Sequence, residues 1–184
     1  MVEIQRYPFS KDALNDLRDN AFAAGNWPLV YVLSDEKHGR AYIGETTDTL
    51  TRMSTHLKHD EKQLLTAVHL ITSEYFNKSA TLDVESLLIK YMAADGKYTL
   101  LNGNLGLADH NYYQRSALYE EVFREVWNRL IAKGVVSRTL DHLDNSDVFK
   151  YSPYKSLSFD QRQGLLTILH ELTNPGVQNI VVEG

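Results

Sequence analysis

The side chain least expected from packing alone is a glutamate on the apolar stripe of a predicted helix. Leu88, Ile89 and Met92 follow Glu85 at +3, +4 and +7, so the four residues share one helical face. Burying a carboxylate is costly unless it is paired or binds a metal ion. Glu85 therefore predicts either a metal ligand or a carboxylate at the rim of the core, paired with a lysine or arginine.

A second helix carries an arginine and a histidine on one face. Arg52 and His56 are four residues apart within the predicted helix 48–59, opposite an apolar stripe of Leu50, Met53 and Leu57. A planar guanidinium suits bidentate recognition of phosphate. The alternative interpretation is a solvated helix face, on which neither residue has a chemical role.

Two tyrosines lie on neighbouring strands. Residues 29–44 predict an antiparallel hairpin with Gly39 in its loop, and this places Tyr31 and Tyr42 on adjacent strands. Buried tyrosines usually contribute packing and one hydroxyl hydrogen bond, so a purely structural role stays open. Asn102, in a Leu-Leu-Asn-Gly-Asn stretch, is typical of a turn.

The remaining pattern predicts an α/β fold, with a small antiparallel sheet of about three strands flanked by helices and followed by a helical extension. The third strand is predicted at 66–76 and a loop at 98–112. Predicted helices span 10–24, 48–59, Ser79 or Thr81 to near Gly96, 115–133 and 158–172, and a last strand spans 179–184.

Composition excludes several classes of protein. The chain has 184 residues and a net charge of −5, which argues against a uniformly basic protein that coats nucleic acid. It has no cysteine, so disulfides, thiolate zinc sites and cysteine nucleophiles are excluded, and a reducing cytoplasm is the expected location. No stretch approaches the length of a membrane span, so no membrane partner is expected.

Taken together, these residues resemble the GIY-YIG nuclease domain over about residues 27–112. The degenerate first half-motif is Leu29-Val30-Tyr31, of which only the tyrosine matches, and the second is an intact Tyr42-Ile43-Gly44. Arg52 follows Gly44 by eight residues. The family's later histidine, glutamate and asparagine positions are filled by His56, Glu85 and Asn102.

The resemblance implies a role for each of these positions. Glu85 would hold one Mg²⁺ or Mn²⁺, and Arg52 would grip the scissile phosphate of DNA. Tyr31 is favoured as the general base, Tyr42 would orient water or phosphate, and His56 would serve as a proton shuttle. The supporting residues are Gly44 and Asn102, and the asparagine would brace the helix that carries Glu85.

One departure from the family concerns charge. Glu45 follows Gly44, where several relatives carry a small or basic residue. An additional anion near the phosphate site would weaken DNA binding or help to hold the metal ion.

The C-terminal residues resemble the opening of a P-loop ATPase domain. Residues 180–184, Ile-Val-Val-Glu-Gly, resemble the strand before a Walker A loop, and Gln161 has the place of an adenine-contacting glutamine. An ordinary terminal strand is the alternative. The resemblance implies a fragment of a bacterial protein that fuses a nuclease to an ATPase, with ATP bound only through the missing domain.

These expectations define four segments: an N-terminal helical segment (1–26), a nuclease-like domain (27–114), a helical extension (115–145) and a truncated ATPase start (146–184). The expected function is metal-dependent hydrolysis of DNA phosphodiester bonds. The alternatives are a non-catalytic module that binds nucleic acid or a partner and positions an ATPase, and a helical adaptor built around 115–145. A homodimer would suit cleavage of both strands, but the sequence leaves the oligomeric state open.

Overall fold

The computed structural model describes residues 1–103 and 118–146, together with the helical residues Gly164, Thr167 and Ile168. The strands in this part of the chain are β1 (Val2–Pro8), β2 (Leu29–Asp35), β3 (Arg40–Thr46), β4 (Ala67–Ser73) and β5 (Thr99–Leu100). The α-helices are α1 (Ala21–Ala24), α2 (Thr49–His56), α3 (Lys78–Asp95), α4 (Arg124–Ala132) and α5 (Leu140–Asp144).

The five strands form one sheet in the order β1-β4-β2-β3-β5. All neighbours are antiparallel except β3 and β5, which are parallel. Every residue of β2 and β4 is buried, because each strand has neighbours on both sides and helices or turns on both faces. This double burial explains why both strands are mostly apolar rather than alternating, although β4 also buries His69. The mixed α/β fold predicted from the sequence is confirmed.

The sheet separates two hydrophobic cores. Helices α3 and α4 cover one face, where Trp127 and Phe123 are fully buried in the same core as Val30 and Val32. The other face packs against α2 and the N-terminal turns, and its core includes Tyr31 and Met53. Tyr31 therefore points to the face that carries α2, while α3 lies on the opposite face.

Helix α3 is bounded by strong end signals. The side chain of Asn77 accepts a hydrogen bond from the Ala80 backbone N–H at 2.9 Å, which caps the first turn. Gly96 ends the helix with φ +71°, a left-handed conformation that glycine adopts without a Cβ penalty. The prediction that this helix ends near Gly96 is confirmed, and its start lies one residue before the predicted Ser79.

The N-terminal segment 1–26 differs from its prediction as a helical segment. Residues Val2–Pro8 are strand β1, which pairs with β4 along its whole length. The predicted helix 10–24 is broken into 3₁₀ turns at Asp12–Leu14 and Asp16–Asp19 and the single turn of α1. Aspartate and asparagine are frequent here, and their side chains compete for backbone hydrogen bonds, as Asn20 does in capping α1.

Strand β5 was not predicted from the sequence, whereas the helix that follows it in the described chain was. Residues 98–112 were predicted as a loop, but Thr99–Leu100 pair with Arg40–Ala41 of β3. The predicted helix 115–133 is confirmed where it is described, as a π-helical turn at Leu118–Phe123 followed by α4. The predicted strand 179–184 and most of helix 158–172 lie outside the described residues.

Within the described residues, no helix combines the length and apolar character that crossing a bilayer requires.

We predict that His69 makes the fold sensitive to acid. It is buried in β4, and burial, reinforced by the charge of Arg6, lowers its pKa from 6.5 to about 4. Between pH 6.5 and 4, His69 is therefore protonated in the unfolded chain but neutral in the native chain. The free energy of unfolding is highest above pH 6.5 and falls as the pH is lowered towards 4. At about pH 4.5 the loss from His69 is roughly 2.5 kcal/mol.

Urea unfolding of wild type and His69→Gln at neutral pH and at about pH 4.5 measures this loss. The variant should lose about 2–3 kcal/mol less than wild type on acidification. An equal loss in both proteins would show that His69 does not carry the acid sensitivity.

Candidate active site

The site is built around a close approach of two paired residues on adjacent strands. Tyr31 of β2 lies opposite Gly44 of β3 in the antiparallel register. A Cβ added to Gly44 would lie 2.2 Å from the Tyr31 hydroxyl oxygen and 2.4 Å from Cζ. Only glycine leaves room for the tyrosine ring to cross the strand, so the second half-motif positions the tyrosine of the first.

The Tyr31 hydroxyl joins two side chains of α2. Arg52 Nε donates to the Tyr31 hydroxyl at 3.1 Å, and His56 Nε2 lies 2.7 Å from the same oxygen. Helical spacing places Arg52 and His56 one turn apart on the face towards the sheet. Asp48 fixes the start of α2 by accepting a hydrogen bond from the Thr51 backbone N–H at 3.1 Å.

Electrostatics fix the direction of this network. Burial, reinforced by the charges of Lys62 and Arg52, lowers the pKa of His56 to about 3, so its imidazole is neutral at pH 7. Burial raises the pKa of Tyr31 well above its usual value, although the hydrogen bond from Arg52 opposes that rise. Tyr31 is thus a protonated hydroxyl that accepts from Arg52 and donates to His56 Nε2.

Tyr42 forms the more accessible part of the site. It is half-buried, and its ring centroid lies 5.1 Å from that of His56 and 6.4 Å from that of Tyr31. The Nζ of Lys62 lies 3.6 Å from the Tyr42 ring centroid, in the geometry of a cation–π contact. Sequence reasoning missed Lys62, because a lysine in a short polar turn carries no signal that it will reach a tyrosine two elements away.

Glu85 approaches from the opposite face of the sheet. It is half-buried on α3, and burial, followed by the charge of Glu45, raises its pKa to about 7. The charge of Arg52 acts in the opposite direction, as does a hydrogen bond from the Glu45 backbone. Glu85 therefore interacts electrostatically with the arginine on α2, although the two helices lie on opposite faces of the sheet.

Glu45, the departure noted in the sequence, has its own cation. Lys78 Nζ lies 2.5 Å from each carboxylate oxygen of Glu45, and Thr81 Oγ1 donates to it at 3.4 Å. The ion pair offsets part of the negative charge that Glu45 would otherwise present to an incoming phosphate. Its lysine comes from the first turn of α3, two turns before Glu85.

Asn102 contacts the backbone of β3 rather than only forming a turn. Its Oδ1 accepts from the Ile43 N–H at 3.0 Å, and its Nδ2 donates to the Ile43 carbonyl at 2.8 Å. The amide therefore makes the hydrogen bonds to Ile43 that a neighbouring strand would make if β5 were longer. It holds the β3 backbone at Ile43, between Tyr42 and Gly44. Its direct effect is on the strand of the site.

The donor set allows a divalent cation at Glu85. No three histidine, aspartate or glutamate side chains in residues 1–103 and 118–146 gather as a metal-binding group. A single carboxylate with water and substrate oxygens is nevertheless a usual environment for Mg²⁺. Burial, followed by the charge of Glu45, raises the pKa of Glu85, and a cation bound there would favour the charged carboxylate against both effects.

The comparison with known protein families agrees with this geometry. Residues 28–98, less than half of the chain, match the sequence profile of the GIY-YIG catalytic domain. That family is one of endonucleases, and the mixed α/β sheet described above is consistent with its fold. Neither a search of curated proteins nor a search of solved structures finds a significant match to the chain.

We predict that Gly44→Ala disrupts the site through Tyr31. The added Cβ would overlap the tyrosine ring, so either the ring or β3 must move, at a cost of about 1–3 kcal/mol. In a Tyr31→Leu background the same substitution should cost less, since the shorter side chain leaves space. A double-mutant cycle from urea unfolding measures this coupling, and additive costs would contradict the steric explanation.

We predict that Asn102→Ala loosens β3 locally. Loss of two hydrogen bonds should cost about 1–2 kcal/mol and speed amide exchange at Ile43. Asn102→Asp keeps the acceptor for the Ile43 N–H but places an oxygen against the Ile43 carbonyl, so it should restore little. Hydrogen exchange measured by NMR tests both variants, and unchanged protection at Ile43 would contradict the bracing role.

Proposed function

We propose that residues 27–114 form a metal-dependent endonuclease domain that hydrolyses DNA phosphodiester bonds. The match of residues 28–98 to the GIY-YIG catalytic domain supports nuclease chemistry. The observation that carries the proposal is the hydrogen-bonded chain Arg52–Tyr31–His56, next to a half-buried Glu85 whose pKa is raised. Arg52 is the candidate for binding the phosphate, Tyr31 for activating the nucleophile and Glu85 for binding the cation.

Arg52 would bind the scissile phosphate. Its guanidinium is exposed, with Nε hydrogen-bonded to Tyr31 and a further side-chain hydrogen bond to Tyr42, which a phosphate oxygen would replace or share. Two parallel hydrogen bonds from one planar group are the strongest way for a side chain to orient a phosphate. The contact with Tyr31 also restricts the arginine, so less conformational entropy is lost on binding DNA.

Tyr31 and His56 would handle the proton of the attacking water. The neutral imidazole of His56 can accept the Tyr31 proton at its Nε2, after which the tyrosine oxygen can act as the base. Burial opposes this step at both groups, because it raises the pKa of Tyr31 and lowers that of His56 to about 3, so the transfer would depend on the positive charge of Arg52 and of a bound cation. Tyr42, which is more accessible, would orient water or a phosphate oxygen, and Lys62 would hold its ring.

Glu85 would be the protein ligand for Mg²⁺ or Mn²⁺. When bound, the cation would neutralise phosphate charge and stabilise the leaving oxygen. Gly44 would help to position Tyr31 by leaving space for its ring, and Asn102 would hold the β3 backbone that carries Tyr42. Glu45 would contribute little to the cation while Lys78 is bound to it.

The fusion to a helicase-like ATPase remains a proposal from the sequence alone. It is supported by Gln161 and by the β-branched residues before Glu183-Gly184. A domain of this type would move or position DNA for the nuclease, and this chain would supply the cleavage step.

We predict that cleavage depends on Glu85 and Arg52. With plasmid DNA and Mg²⁺ or Mn²⁺, wild type should nick the plasmid, while Glu85→Ala and Arg52→Ala should each lower the rate by about 100-fold or more. Chelation of the cation should stop the reaction in wild type. Agarose gels of supercoiled, nicked and linear plasmid give the rates.

Matched controls separate this loss from a general effect of charge. Glu3→Ala and Arg40→Ala remove one acidic and one basic exposed residue of the same sheet away from the site, and both should cleave like wild type. Equal nicking by all five proteins would indicate a contaminating nuclease and reject the assignment. DNA binding by wild type without any cleavage would instead favour the non-catalytic module.

A further inference from the structure

A polar groove lies beside the candidate site, between the N-terminal 3₁₀ turns and the outer side of α2. It has a volume of about 430 Å³. Its cations are Lys11 and Arg18 from the N-terminal segment and Lys58 from the turn after α2. The other lining residues are Leu14, Asn15, Leu50, Thr51, Ser54 and Thr55.

The charges of this groove have one sign. No aspartate or glutamate is among its lining residues. Lys11, Arg18 and Lys58 are exposed, and none of them makes an ion pair with another residue in the described part of the chain. Lys11, Arg18 and Lys58 thus give the lining of the groove positive charge, although Asp12, Asp16 and Asp19 lie in the same N-terminal turns outside that lining.

The neutral groups between the cations are also suited to phosphate. The hydroxyls of Thr51 and Ser54 and the amide of Asn15 can donate hydrogen bonds to phosphate oxygens, whereas the Thr55 hydroxyl already donates to the Thr51 carbonyl at 2.9 Å. Such contacts fix the position of a nucleic-acid backbone without reading its sequence. A groove with cations at both walls and hydroxyls between them fits a chain of phosphates better than a single compact anion.

Helix α2 connects the groove to the candidate site. Thr51 and Thr55 line the groove, and the next residue after each is Arg52 and His56, respectively. Consecutive helical residues point about 100° apart, so the groove occupies the side of α2 adjacent to the face that holds Tyr31. A strand whose scissile phosphate contacts Arg52 can therefore continue around the helix into the groove.

We propose that this groove binds the phosphate backbone of substrate DNA away from the scissile bond. The inference rests on the proposed nuclease function and adds a substrate-binding surface to it. One wall comes from residues 11–18, which precede the segment matched to the GIY-YIG catalytic domain. The N-terminal turns thus have a binding role that the matched segment does not supply.

The test compares two triple variants of equal charge. Lys11→Gln/Arg18→Gln/Lys58→Gln removes the groove cations, and Lys37→Gln/Arg40→Gln/Lys133→Gln removes three exposed cations elsewhere. Binding of a fluorescein-labelled DNA duplex is followed by anisotropy in EDTA, so cleavage does not interfere. Circular dichroism establishes that each variant is folded.

Loss of three phosphate contacts should make the slope of log affinity against log salt less negative by about 2.7. Between about 50 and 200 mM salt, wild type should then lose roughly 40-fold more affinity than the groove variant. The control variant should keep the wild-type slope. Equal changes in both variants, or a wild-type slope in the groove variant, would overturn the proposal, as would absence of DNA binding by wild type.

Cleavage assays separate this inference from the function on which it rests. If wild type cuts DNA and the groove variant binds normally, the nuclease assignment holds and the groove proposal fails. If the groove variant loses affinity while wild type does not cut in Mg²⁺ or Mn²⁺, the groove binds DNA but the catalytic assignment fails.

Discussion

The arrangement of the site depends on the absence of one carbon atom. Because Gly44 has no Cβ, the Tyr31 ring can lie across β3, and its hydroxyl then reaches both Arg52 and His56. A strand with any side chain at that position would push the ring away and separate α2 from the sheet. Gly44 thus influences Arg52 and His56 indirectly, because it determines where the Tyr31 hydroxyl oxygen lies.

A second requirement is that an acidic chain must present positive charge to a phosphate. Lys78 meets this requirement at Glu45, where it neutralises the anion that follows the second half-motif. Arg52 remains exposed on the other side of β3, and Lys62 lies over Tyr42. The net charge of the chain is therefore a poor guide to the potential at this site, since pairing removes part of the negative charge locally.

The sequence predicted the central hairpin, α2 and α3, because each has a strong periodic pattern and recognisable ends. The sequence also grouped Tyr31 with Arg52 and His56, but only through the resemblance to the GIY-YIG domain, because the contact between β2 and α2 is tertiary. It did not predict β5 or the contact of Lys62 with Tyr42, which depend on tertiary packing between elements distant in the chain. The predicted N-terminal helix was wrong because its apolar spacing was weak and Asn20, which is extended, starts a new turn at α1 by capping it.

The amide of Asn102 also affects how the protein meets other copies of itself. β5 covers only two residues of β3, and beyond them an open strand edge would offer unpaired N–H and C=O groups to any extended chain. By occupying both polar groups of Ile43, Asn102 shortens the stretch available for such pairing. A single side chain thereby limits edge-to-edge pairing between copies of the protein at this position of β3.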